Sequence, residues 1–280
     1  MPRKLLGIVG QIAKYLVLAL YAVVSLYPLI WLVFYSFKTN EEIFFTNTFG
    51  FPAKFLYQNY VRAWNAFNMP SYFKSSLIVT SATVVFVIVI ALLFAYATAR
   101  MKWKLASPAR LYVAIGLFIP TQVILIPLVM LMKTLHLSNS YASLVLPYVA
   151  FQLAFSSMAF YSFLRTIPFE FEEVASLDGA GVFTTFFRII VPMVTPAMAS
   201  VAIFVSLGAW NEFPVALILI NKESHKTLPI GLINFTGQFQ TDWGGVGASL
   251  VIASLPTIVM YLIFNRQIER ALTIGGALKG

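Results

Sequence analysis

The chain has 280 residues, of which 60% are hydrophobic and only 10% charged, with a mean hydropathy of +0.84. Soluble globular proteins carry roughly 25% charged residues, and so little polar surface cannot cover a water-soluble particle of this size. A disordered chain, a nucleic-acid-binding domain and an ordinary cytosolic enzyme are therefore excluded. The net charge of +9 reads instead as the cytoplasmic bias of basic residues in a polytopic membrane protein. There is no cysteine, so disulfide and thiol chemistry are absent. His136 and His225 have no metal-ligand spacing, and no metal site is expected.

In chain order, six uncharged apolar runs reach the roughly 20 residues needed to cross a bilayer. They are Tyr15–Phe37, Ser75–Ala99, Leu111–Met132, Leu137–Leu164, Ile189–Asn211 and Trp243–Asn265. The fifth is expected to continue past Glu212 to Ile220. The first is too long for a signal-peptide core and reads as a retained helix. No run has the ten-residue alternation of a membrane strand, so the expected fold is all-α with six transmembrane helices.

With both termini inside, 12 of the 19 basic residues fall on the inner side and 7 on the outer. This asymmetry puts both termini on the cytoplasmic side of the membrane. The sharpest cue is Arg100-Met101-Lys102-Trp103-Lys104, after the second run. The chain then divides into residues 1–70 (first helix and first outer segment), a core over 71–265 and a cytoplasmic tail over 266–280. The outer segment Asn221–Asp242 is long and polar, with Gly231 and Gly237, and is expected to protrude.

The longest inner loop, Arg165–Arg188, holds Glu170, Glu172, Glu173 and Asp178. Thr166 is placed to cap a short helix, Pro168 suits its first turn, and the acids complement the positive end of its dipole. Gly179-Ala180-Gly181 breaks that helix, and a second helical stretch from Val182 leads through Pro192 into the fifth run. Physics alone permits an interfacial helix without a partner or a rigid ledge for docking a protein.

The spacing within this loop favours docking. Glu173-Val174-Ala175 is followed by Gly179 six residues after the Glu, Ile189 ten after the Gly and Pro192 three after that. This resembles the Glu-Ala-Ala motif of ABC importer permeases, with Val174 and Val191 as mild departures. Tyr35-Ser36-Phe37-Lys38, Trp210-Asn211-Glu212-Phe213, Thr241-Asp242-Trp243-Gly244 and the ending Leu272–Gly280 add to it. Together they resemble the second permease subunit of carbohydrate importers of the maltose type, a type I importer fold.

That resemblance implies a second homologous permease, two ATPase subunits on the cytoplasmic side and an extracytoplasmic sugar-binding protein as partners, with no nucleic acid involved. It implies that Glu173, Ala175, Leu177, Asp178, Gly179, Ala180, Ile189 and Pro192 meet an ATPase subunit. It further implies that Gly275, Gly276 and Lys279 reach the ATPase pair, and that Asn221–Asp242 meets the binding protein. No Gly-x-x-x-x-Gly-Lys-Ser/Thr loop is present. This chain is therefore expected to bind no cofactor, ATP and Mg2+ lying on the partner ATPases, and not to be an enzyme.

Two rival classes are weaker. An ion-coupled secondary transporter places ionisable groups at mid-membrane, and Glu212 alone is a candidate. An intramembrane enzyme needs a nucleophile and a base, or a metal cluster, and the runs hold neither. Trp210, Asn211 and Glu212 combine a flat ring, an amide and a carboxylate in one turn. They read either as an interface anchor or as lining of a sugar passage. Glycerol phosphate remains the alternative cargo, although the outer loops have no basic cluster beyond Lys222 and Lys226.

Overall fold

The computed structural model describes residues 2–65, 68–235 and 241–277, with side chains over 10–65, 68–233 and 241–264. The described secondary structure is helical. The chain forms two compact units, one of residues 1–69 with 231–255 and the other of 70–230 with 256–280.

The first unit begins with α1, Pro2–Tyr35, followed by α2, Gln58–Asn65. It also takes the start of the last helix, α12, Trp243–Ala277. The apolar stretch of α1, Gly10–Tyr35, buries none of its length within the chain. A helix apolar all round needs lipid or another protein against every face. The segment after it is stitched by polar groups. Lys38 is buried and its Nζ donates to the carbonyl of Asn47 at 2.5 Å. Burial pulls the Lys38 ammonium below its ordinary pKa, with Glu42 acting in the opposite direction. Asn59 Nδ2 donates to the carbonyls of Ser36 and Lys38, both at 2.9 Å. Asn40 joins the start of α12, donating to the Thr241 carbonyl at 2.8 Å and accepting from the Trp243 N–H at 3.0 Å. Gly244 and Gly247 make that approach possible. A Cβ on Gly244 would lie 2.6 Å from the Lys38 carbonyl, and one on Gly247 would strike the Tyr35 ring. Two segments 200 positions apart in the sequence, Tyr35–Lys38 and Thr241–Gly244, thus form one joint.

The second unit is built on α3, Met69–Arg100; α4, Ala106–Ile115; α5, Leu125–Thr134; α6, Ala142–Leu164; and α9, Val191–Trp210. Between α6 and α9 come α7, Glu170–Leu177, and α8, Val182–Thr185; α10, Pro214–Leu219, and α11, Leu228–Gly231, follow α9. Its core includes Val87 and Ala91 of α3, Leu144 and Phe160 of α6, Ile190, and Val194 and Val205 of α9.

Among the described residues, five helices are long and apolar enough to cross a membrane: Gly10–Tyr35, Met69–Arg100, Ala142–Leu164, Val182–Trp210 and Trp243–Phe264. The third expected run differs. Ala106–Phe118 and Thr121–Thr134 are bent by 92° and make a sixth span only if taken together. Proline has no N–H, and it drives the residue before it out of the helical region. Ile119 is accordingly extended, at φ −89°, ψ 112°. The fifth run is also corrected. Its helix stops at Trp210, and Asn211–Phe213 separate it from α10 instead of continuing to Ile220.

Candidate functional site

The inner loop folds as a helix, an elbow and a second helix. α7 starts at Glu170 without a side-chain cap, and its first turn carries Glu170, Glu172 and Glu173. The expected cap is corrected: Thr166 Oγ1 donates to the Phe163 carbonyl at 2.7 Å and so closes the end of α6. At the other end of α7, Gly179 N–H donates to the Ser176 carbonyl (3.1 Å) and Ala180 N–H to the Ala175 carbonyl (2.9 Å). This paired closure requires a left-handed residue after the helix, and Gly179 supplies it at φ +82°. No heavy atom lies within 4 Å of a Cβ built there, so the elbow faces open space.

Of the residues singled out from sequence, Ala175, Asp178 and Ile189 line one open hollow of about 370 Å3, with Glu170, Phe171 and Val174. Gly179 and Ala180 form the elbow. Glu173 is exposed, and Leu177 at the tip is 87% exposed. Phe183, just past the elbow, is 79% exposed. Pro192 sits in the first turn of α9. One wall thus offers apolar side chains and carboxylates together, and a backbone bare of side chains at its corner.

Sequence reasoning missed what holds this ledge. Arg100, the last residue of α3, pairs with Glu172 of α7, Nε to Oε1 at 3.3 Å, and both side chains are nearly buried. Arg100 Nη2 donates to the Ile167 carbonyl at 2.7 Å, and its guanidinium lies 5.2 Å from the centre of the Phe169 ring. Burial pushes the Glu172 carboxyl above the usual range, with Arg100 pulling the other way. In the sequence, Arg100 counted only as a topology marker and Glu172 only as a dipole partner. The one available signal was an arginine ending an apolar run with no acid beside it.

Among the candidates for a substrate path, Trp210 is buried and stacks edge-on with Phe73 at 5.6 Å. Asn211 Nδ2 bonds back to the Leu207 carbonyl at 2.9 Å. Glu212 caps α10, accepting from the N–H groups of Val215 (2.8 Å) and Ala216 (3.0 Å). Tyr148 OH of α6 donates to the same carboxylate at 2.5 Å. The signal for this break was Pro214, which disfavours helix at Phe213 and suits the first turn of a new one.

The start of the outer segment is tied to neighbouring side chains. Asn139 Oδ1 accepts from the N–H groups of Asn221 (2.6 Å) and Lys222 (3.0 Å), and Ser76 Oγ accepts from Leu228 N–H at 2.8 Å. Hydrogen bonds from Lys226 and Tyr72 hold the Glu223 carboxyl below the usual range. Gly237 lies outside the described residues. At the C-terminus, Gly275 and Gly276 fall in the last turns of α12, and Lys279 lies outside the described residues. No group of three or more His, Cys, Asp or Glu positioned for a metal occurs among the described residues.

A multi-span helical membrane protein with a short ledge between its fourth and fifth spans is the class that this architecture defines. Residues 87–274 match the binding-protein-dependent transport system inner membrane component family, and the chain belongs to that family. A probable ABC transporter permease of Bacillus subtilis, YurM, is 35% identical over 272 residues, 97% of this chain and 90% of its own. The trehalose/maltose transport system permease MalG of Thermococcus litoralis is 33% identical, covering 99% and 98%. The diacetylchitobiose uptake permease NgcG of Streptomyces coelicolor is 32% identical, covering 92% and 86%. In fold, the chain resembles a chain of a bacterial ABC transporter that imports the acidic polysaccharide alginate. The TM-score is 0.84 at 19% identity, over 92% of this chain and 96% of that one.

Proposed function

We propose that this chain is one of two permease subunits of an ATP-driven importer, and that its cargo is a sugar or oligosaccharide delivered by an extracytoplasmic binding protein. The observation that carries this reading is the elbow: a glycine-closed helix with exposed apolar tips, held by a buried ion pair, at the motif spacing of importer permeases. The kinship with permeases named for trehalose, maltose and diacetylchitobiose supports the cargo class. ATP hydrolysis belongs to separate subunits docked on the ledge, and this chain supplies the path and the mechanical link.

The test is uptake in cells lacking this chain. Import of at least one of labelled maltose, trehalose or diacetylchitobiose should fall at least tenfold and return on complementation. The affinity-purified chain should bring down a second permease and an ATPase. Unchanged import of all three sugars, with no ATPase recovered, would sink the reading.

Orientation follows from the basic-residue asymmetry, with both termini and the ledge in the cytoplasm. The natural lack of cysteine makes it directly measurable. Lys54→Cys and Lys104→Cys replace exposed residues on opposite expected sides. An impermeant maleimide added to intact cells should label the first and spare the second; the reverse pattern inverts the topology.

A further inference from the structure

The end of α9 and the middle of α6 share a polar column. Tyr148, Gln152 and Ser156 stand at four-residue intervals on α6 and so occupy one face. Gln152 is near the midpoint of this helix, about 15 Å from its first residue at 1.5 Å per residue. Facing it are Gly208 of α9 and, just past the end of that helix, Glu212. A side chain at Gly208 would collide with Gln152 Nε2, so the glycine is what lets the amide lie against α9. Tyr148, Phe151, Gln152, Gly208, Ala209 and Glu212 line a common cavity of about 40 Å3.

The hydrogen-bond balance of this column is uneven. Both Glu212 oxygens are engaged, by Tyr148 and by the α10 backbone. The Ser156 hydroxyl is buried with no partner, and the Gln152 amide makes no hydrogen bond to another described residue. An amide at the middle of an apolar span is costly unless it faces a wet passage or a polar ligand. A cavity of this size exceeds the roughly 10–15 Å3 that one water needs, so it has room for a water or a sugar hydroxyl.

We infer that Gln152 is a hydroxyl-recognition point on the translocation path, its amide both donating to and accepting from a carbohydrate hydroxyl, with the Tyr148 oxygen one turn outward as a second acceptor. Glu212 is a positioning residue that orients the Tyr148 hydroxyl, and Phe151 supplies apolar surface beside the site. A side-chain amide is suited to this task because its two polar atoms match the mixed donor and acceptor character of a hydroxyl. This inference rests on the sugar-import reading above.

The test uses the assembled complex with its own binding protein and radiolabelled maltose, trehalose and diacetylchitobiose as probes. Gln152→Leu should lower uptake of the transported sugar at least tenfold while the second permease and the ATPase still co-purify with the chain. Gln152→Asn should recover part of the uptake. In a second measurement that does not depend on the leucine variant assembling, Gln152→Cys is labelled with a small methanethiosulfonate reagent. The sugar-loaded binding protein should slow that labelling at least fivefold and leave Leu146→Cys, an exposed position on the same helix, unaffected. Parental uptake by Gln152→Leu together with sugar-independent labelling would overturn this inference alone. Failure of the parental complex to import any of the three sugars would overturn the sugar reading and this inference with it.

Discussion

Replacing Arg100 with leucine should detach α7 from the end of α3 and lower transport at least tenfold, the largest effect expected of any change outside the elbow. Removing one member of a buried ion pair leaves the other charge stranded and costs about 3–5 kcal/mol. Here the stranded group is Glu172, which burial already disfavours in its charged form. The loss also takes the hydrogen bond to the Ile167 carbonyl and the contact with Phe169. Thermal unfolding of the purified complex should shift down, and backbone hydrogen exchange should rise over residues 166–178. The double variant Arg100→Leu with Glu172→Leu removes both charges and should restore much of the stability. If the single variant unfolds and exchanges like the parent, the pair does not hold the ledge.

The second large effect is expected at Gly179, where fold and docking separate cleanly. A non-glycine residue at positive φ costs about 1–2 kcal/mol, and asparagine tolerates it best. Because a side chain here meets nothing within the chain, Gly179→Asn should leave the chain inserted and folded. The same side chain should obstruct a partner closing on the elbow, so coupled ATP hydrolysis should fall at least tenfold. Gly179→Val adds a β-branched group at φ +82° and should destabilise the elbow as well. Normal coupling in the asparagine variant would show that no partner packs against this corner.

Much of this architecture is legible in the sequence because hydropathy and charge act over whole spans. The six runs stand out, and the helix–glycine–helix ledge follows from Gly179 and Pro192. The rest depends on pairings and on local choices that spacing does not determine. Pro120 and Pro127 look alike in the third run, yet only Pro120 follows an extended residue. Pro127 falls in the first turn of α5, where a missing N–H is harmless. Arg100 and Glu172 lie 72 positions apart, and nothing local links them. Glu212 is visible as a carboxylate in an apolar stretch, but its capping of α10 needs the chain to turn there first. In the joint of the first unit, Lys38 and Gly244 become partners only because two distant segments meet.

The discontinuity of that first unit bears on biogenesis. Its two sequence pieces, 1–69 and 231–255, are separated by the whole of 70–230. At about 5–20 residues per second, the ribosome needs on the order of ten to thirty seconds to make the intervening stretch. Throughout that interval Asn40 lacks the Thr241 and Trp243 groups that later satisfy it, and the Tyr35 ring lacks the glycine face of Gly247. The nascent chain therefore carries an open polar seam beside its first span until its last span emerges. A translocation-associated chaperone or the insertase itself has that window in which to guard it, and a chain stopped before Gly231 should be a preferred substrate of membrane quality-control proteases.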